Sequence, residues 1–226
     1  MRYREDFESR FTGRHKACVE FSGDELQNNV VLDIGCSIGW YEKFMVEQGC
    51  FMVGMDLMRS ALHKAKKSVS AGSCEFVCAS ALMPPFKTSC FDVICFFDVL
   101  EHLPAGSESI VFSKTNSMLR SNGLLIMSVP NNHFVSKLLD PAYFLIDHRH
   151  YDIPRIRTFM EKTDFEICEV RYGGGIVEAL SMVLLYLFKH LFGMEVTFKS
   201  FLEYLRNKEY QGKGFATLFI KAMRSQ

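Results

Sequence analysis

Val30–Trp40, VVLDIGCSIGW, decides the fold: an apolar run closed by an acid, then a turn flanked by Gly35 and Gly39, then a segment of helical character, Trp40 to Gln48. That order is strand, tight turn, helix. In an open parallel sheet, ligands sit in the crevice at the carboxyl ends of the strands. Glycine lets the backbone approach such a ligand with no Cβ in the way. On its own this turn fits any βα unit. A second apolar strand, Phe51 to Met55, ends in Asp56, 17 residues after Gly39. An acid about 20 residues on meets ribose hydroxyls in nucleotide-binding βαβ units, so the ligand carries a ribose. A dinucleotide calls for three glycines and a helix N-terminus under its pyrophosphate. Here the turn reads D-x-G-x-S-x-G, with Asp33 placed to repel a diphosphate and attract an ammonium group, which favours a cationic nucleoside over NAD.

Outward from this stretch the chain alternates: helix Ser60 to Val69, strand Glu75 to Cys78, strand Phe91 to Phe97, helix Ser109 to Leu119, strand Leu124 to Val129. Alternation at this spacing is the pattern of a parallel sheet with right-handed crossovers. Phe91 to Phe97 is nearly continuous in apolar residues, as expected of a central strand buried on both faces. Its carboxyl end delivers Asp98, Glu101 and His102 to the same crevice. Asn122-Gly123 reads as the turn between the helix and the next strand.

Residues 131–151 show no clean period and mix Asn131, Asn132, His133, Asp147, His148, His150 and Tyr151 with Phe134, Tyr143 and Phe144. A loop of this length inside a compact domain is a binding or lid segment. After a helix, Pro154 to Lys162, a strand from Phe165 to Tyr172 pairs with the last strand, Phe215 to Lys221, as a closing hairpin. Between them Ile176 to Met194 is apolar almost all round as a helix, with a thin polar stripe of Glu178, Ser181, Lys189 and His190. Such a helix must be buried. It is a core or homodimer helix, a wall of the substrate pocket, or a segment lying in the membrane interface. It is at the short limit of the ~20 residues a span needs and carries charge.

The 226 residues suit one α/β domain, with 1–29 as an N-terminal helical cap and 173–210 as an apolar helical insert. Apolar residues make up 48 %, including 21 Phe, so a full core can form. With 26 basic and 26 acidic residues the formal charge is zero, which argues against a nucleic-acid partner because such binding rests on neutralising phosphates. The eight cysteines contain no C-x-x-C pair, so zinc-ribbon and thioredoxin readings fail. Cys36, Cys78 and Cys95 read as small buried hydrophobes in a reducing compartment. The N-terminus lacks the apolar core of a secretory signal. A cytoplasmic protein, with peripheral membrane contact open through 176–194, is expected.

The chain resembles the class I S-adenosylmethionine (SAM) dependent methyltransferases, in the branch holding the ubiquinone-biosynthesis O- and C-methyltransferases. VLDIGCSIG is similar to that family's first motif, GMDL to its second, CASALMPPF to its third, FDVICFFDVLEHL to its fourth and LRSNGLLIMSVPN to its fifth. Several motifs in the right order are far more specific than any one. The resemblance implies a Rossmann-like, doubly wound, mostly parallel seven-stranded sheet with an antiparallel last strand. It implies SAM as cofactor, with Asp33, Gly35 and Gly39 lining the methionine moiety, Asp56 holding the ribose, and Ser80 with Ala81 facing the adenine. Cys36, Ser37, Leu57 and Asp98 complete the implied set. Two positions depart from the family pattern: Ser37 replaces the middle glycine of the first motif, and Ser80 replaces an acid near the adenine amino group, where a hydroxyl is the weaker acceptor.

Methyl transfer from a sulfonium needs donor and acceptor held in near-attack geometry, and a base helps when the acceptor is a hydroxyl. His148 and His150 are the first candidates, then His102. The acceptor is expected to be a small hydrophobic or aromatic molecule, with oxygen favoured. Methylation of a lipid or quinone precursor at a membrane surface is the alternative enzyme, and a catalytically idle SAM-binding module the alternative class. Asp98-x-x-Glu101-His102 also resembles the E-x-x-E-H metal site of ubiquinone O-methyltransferases and small-RNA 2′-O-methyltransferases, with Asp98 for the first Glu. An ion there would lower a hydroxyl's pKa. Many metal-free members carry E-H after the fourth strand, and no metal is the reading kept.

Overall fold

The computed structural model describes residues 13–69, 72, 74–145, 148–187 and 199–225. Helix α1 (Gly13–Ser22) and a 3-10 turn (Gly23–Leu26) precede β1 (Val30–Ile34), α2 (Trp40–Glu47), β2 (Phe51–Asp56), α3 (Arg59–Ser68), β3 (Cys74–Cys78) and β4 (Phe91–Phe97). Then follow a 3-10 turn (Leu100–His102), α4 (Glu108–Met118), β5 (Leu119–Pro130), α5 (Phe134–Leu138), α6 (Pro141–Leu145) and α7 (Ile153–Glu161). The chain closes with β6 (Phe165–Gly173), α8 (Ile176–Leu187), α9 (Lys199–Tyr210) and β7 (Thr217–Arg224).

The seven strands form one sheet in the order β3-β2-β1-β4-β5-β7-β6. Parallel registers join β1 to β2 (Val30 opposite Phe51), β2 to β3 (Met52 opposite Cys74), β1 to β4 (Val31 opposite Val93) and β4 to β5 (Val93 opposite Leu124). β5, β7 and β6 run antiparallel. The chain builds outward from β1 to β3, then crosses back to lay β4 on the other side of β1. This reversal makes the carboxyl ends of β1 and β4 a switch point, the place where open α/β sheets bind ligands. Val31, Leu32, Ile94, Cys95 and Ile126 are fully buried, which explains why these strands read as apolar runs rather than as alternation.

Two compact units divide the chain. One comprises Ser22–Ser128, Ile153–Val170 and Ile220–Gln226, and the other Met1–Phe21, Val129–Asp152 and Arg171–Phe219. The first carries β1 to β4. The second carries the 131–151 segment and the insert.

Three expectations change. Asn122-Gly123 does not separate a helix from a strand: β5 starts at Leu119, and Asn122 sits inside it at φ 60°. The register jumps there, with Phe91 opposite Leu119 but Val93 opposite Leu124, so the Asn-Gly pair builds a bulge. Cys36 and Cys95 are buried, but Cys78 is exposed at the end of β3. The 131–151 segment contains α5 and α6, five residues each, too short for a helical period to repeat. A parallel bridge between Asn131 and Tyr151 closes the segment on itself; Asp147 lies outside the described residues.

In the insert, Glu178 of the thin polar stripe is turned inward. It is fully buried and holds Arg206 (2.5 and 2.9 Å) and Arg14 (3.2 Å). The Glu209 carboxylate accepts the N–H groups of Gly175, Val177 and Glu178 at 2.8–2.9 Å, capping the open amides and favouring the positive end of α8. Ile176 and Leu180 are instead about half exposed. The rest of the expected helix, 188–194, and the first part of the cap, 1–12, lie outside the described residues. Among the described residues no helix is long and apolar enough to cross a membrane.

Candidate active site

The first unit carries a cradle along the carboxyl ends of β3, β2, β1 and β4. After β1 the chain turns through Gly35 (φ 82°), Ser37 (φ 50°) and Gly39 (φ 76°). Gly35 and Cys36 both donate to Met55 O, at 2.7 and 3.2 Å, which ties the turn to the end of β2. A Cβ on Gly35 would collide with Val99 Cγ2, and one on Gly39 would lie 2.9 Å from Ala65 Cβ on α3. Close packing of protein on protein, together with left-handed backbone, demands both glycines. Ser37 takes the same left-handed region at a cost on the order of 1 kcal/mol, and its N–H is rewarded by Asp56.

Asp56 ends β2 with both carboxylate oxygens engaged: Oδ2 accepts from Ser37 N (2.8 Å) and Oδ1 from Met58 N (2.7 Å). Each oxygen keeps a second lone pair, and the two backbone bonds fix the plane of the group. A carboxylate held in this way can take two vicinal hydroxyls. Ser80, at the end of β3, is half-buried and closes a turn, its Oγ accepting from Leu82 N (3.2 Å) and its carbonyl from Met83 N (3.0 Å). Ala81 is half-buried beside it and Leu57 is exposed.

Asp33 is buried beside Glu42 of α2, a group that reading the sequence missed. Neither Glu42 oxygen finds an N–H or O–H partner among the described residues. Burial, then the Glu42 charge and the contact with Glu42, push the Asp33 carboxyl well above its usual range. Burial raises Glu42 to about 7. Two buried carboxyls in contact share a proton rather than ionise together. Burial and the same two acids also push the Cys36 thiol far up, so it is no nucleophile. The only sequence signal for Glu42 is an acid on the helix face that otherwise buries Tyr41 and Met45.

Asp98 follows β4 at φ 51°. Its N–H donates to Ser128 O (3.0 Å) and its Oδ1 accepts from Ser128 Oγ (2.9 Å). Glu101 is buried and His102 exposed on the 3-10 turn. No group of three convergent metal-binding side chains among the described residues includes Asp98. The D-x-x-E-H spacing puts Asp98 on the strand end and Glu101 and His102 on the following turn, so it does not gather the three.

The second unit holds a cluster of its own residues. Asp140 Oδ2 receives His148 Nδ1 at 2.7 Å and His150 Nε2 at 2.9 Å, while its Oδ1 accepts from Ala142 N at 2.9 Å. His150 Nδ1 faces Asn131 O at 3.0 Å. Asp140 and His150 are buried and His148 is half-buried. Burial alone would raise the Asp140 carboxyl, but the two imidazoles and the Ala142 amide hold it well below the usual range. Within this unit His148 and His150 meet on Asp140, which the sequence reading missed. Asp140 precedes Pro141 at the start of α6 and reads in sequence as an ordinary helix cap.

A profile of the methyltransferase domain family matches residues 8–170. Among relatives, the chain is 28 % identical over 125 residues to a ubiquinone biosynthesis O-methyltransferase of Bartonella quintana, covering 52 % of this chain and 50 % of that one. The chain spans about half the length of the curated relatives it matches. Among solved structures, a SAM-dependent methyltransferase from Mesorhizobium loti superposes with TM-score 0.66 at 13 % identity, covering 94 % and 98 % of the two chains. Geranyl diphosphate C-methyltransferase from Streptomyces coelicolor gives 0.66 at 12 % identity over 93 % and 78 %. These likenesses show the fold. The chain belongs to the methyltransferase domain family.

Proposed function

We propose that this protein transfers a methyl group from SAM to a hydroxyl of a small hydrophobic or aromatic acceptor. The cradle of the first unit suits the donor. Asp56, oriented by Ser37 and Met58, takes the ribose hydroxyls; Ser80 and Ala81 face the adenine; Asp33, Gly35, Cys36, Ser37, Gly39, Leu57 and Asp98 complete the site. SAM supplies an electrophilic methyl on a sulfonium, and the chain's own task is to orient the two reactants and to take a proton from the acceptor.

The observation that favours oxygen is the 2.7 Å contact of His148 Nδ1 with Asp140. Donation of Nδ1–H to that carboxylate leaves the lone pair on Nε2, and the carboxylate stabilises the imidazolium formed once Nε2 takes a proton. With no ion bound, His148 is therefore the base, Asp140 positions it, and His150 buttresses Asp140. Turnover of SAM with a panel of phenols, quinols and thiols tests the reading. Methylated phenols or quinols are expected. Calorimetric SAM binding with no product on any acceptor would leave an idle binding module and refute catalysis.

A second reading, methylation of a lipid or quinone precursor at a membrane surface, draws on exposed apolar side chains in the second unit. Phe134 and Leu138 on α5, Phe144 and Leu145 on α6, and Ile176 and Leu180 on α8 are each at least half exposed, and both short helices pack against α8. Such a patch marks an interaction surface. Co-sedimentation with anionic vesicles, lost in Phe134→Ser/Phe144→Ser, would support it; no sedimentation of the wild type would remove it.

A further inference from the structure

Three ligand atoms in the second unit, Asp140 Oδ2, His148 Nδ1 and His150 Nε2, lie within 4.8 Å of one another. The His150 ring is the informative one. Its Nδ1 faces Asn131 O at 3.0 Å, and a carbonyl can only accept, so Nδ1 carries a hydrogen. In the neutral ring the Nε2 lone pair then points at Asp140 Oδ2, 2.9 Å away and itself bearing only lone pairs. A cation must lie between them, either a proton or a metal ion. A metal-binding imidazole whose other nitrogen donates to a backbone carbonyl is the usual supporting arrangement around a bound ion, and Ala142 N–H on Oδ1 orients the carboxylate in the same way.

We propose that Asp140, His148 and His150 hold one divalent transition-metal ion. Two imidazoles and a carboxylate suit Zn²⁺, Fe²⁺ or Mn²⁺ better than Mg²⁺ or Ca²⁺, which prefer oxygen. Three protein ligands leave at least one coordination position for water or substrate, as in catalytic rather than structural zinc sites. Donor atoms around a tetrahedral Zn²⁺ stand roughly 3.3 Å apart. The observed 2.7 and 2.9 Å separations need to open by only a few tenths of an ångström. With the ion bound, His148 ceases to be the base, and an ion-bound hydroxyl of lowered pKa replaces it. That role rests on the proposed function; the binding of the ion does not.

The test is titration of metal-stripped protein with Zn²⁺ against a chromophoric chelator, in a Cys78→Ser/Cys168→Ser background that removes the exposed thiols. One Zn²⁺ per chain is expected, with a rise in melting temperature. His148→Ala and Asp140→Asn should each weaken binding on the order of 100-fold while leaving SAM affinity unchanged, so failure here is distinct from failure of the SAM reading. Calorimetry of the unmutated site in two buffers of different ionisation enthalpy should show proton release on Zn²⁺ binding, a readout independent of how the variants fold. Absence of micromolar binding, binding unchanged in His148→Ala, or binding without proton release would each overturn the proposal.

Discussion

Glu42→Gln should flatten the pH dependence of folding stability between pH 4.5 and about 7. In the wild type, Asp33 and Glu42 are both buried and both raised, so the native state holds a proton that the unfolded chain releases. The sign follows from linkage: a carboxyl raised in the folded state contributes stability that is complete below its unfolded value and is lost as pH rises through the folded one. For Glu42 the rise from 4.5 to about 7 corresponds to about 3 kcal/mol lost across that window. Gln keeps the volume and donates an amide N–H to Asp33, which can then ionise with a partner. The variant should therefore be the more stable protein near pH 8 and the less pH-sensitive one throughout. Urea unfolding followed by circular dichroism, at intervals from pH 4.5 to about 8, gives both curves. Taking their difference cancels the contributions of Asp140 and of the histidines. Parallel curves for the two proteins would refute the shared-proton pair.

Asp56→Ala should weaken SAM binding by roughly 1 to 3 kcal/mol in calorimetry, because a charged acceptor for two hydroxyls is lost; an unchanged affinity removes the ribose assignment. Gly35→Ala should lower stability by about 1 to 3 kcal/mol, since the new Cβ meets Val99 and φ is 82°, and a melting temperature equal to wild type would show that the turn is freer than described. Arg206→Met should cost about 3 to 5 kcal/mol by removing the guanidinium that holds both oxygens of buried Glu178. If Glu178→Gln in the same chain does not restore most of that loss, the buried charge is not its source.

Much of the fold and of the donor site is local, and local patterns survive in a linear chain. β1, β2, β4 and the turn between β1 and α2 could be bounded to within a residue or two, because central parallel strands are continuous apolar runs and the turn after β1 needs its glycines. The placement of Asp56 was legible for the same reason: a strand ending in an acid is a statement about neighbours in sequence. Tertiary structure decided the rest. Glu42 lies nine residues from Asp33, yet its meaning comes from the packing of α2 on the sheet, which strips both acids of water. Glu178 read only as part of a thin polar stripe because helical periodicity cannot see that Arg206 and Arg14 would come to meet it. Asp140 looked like a helix cap, and only closure of the 131–151 segment by the Asn131–Tyr151 bridge brings His148 and His150 onto its one free oxygen. Periodicity and spacing report which way a side chain faces along its own element, whereas charge pairing and convergent ligation depend on which elements fold back on one another.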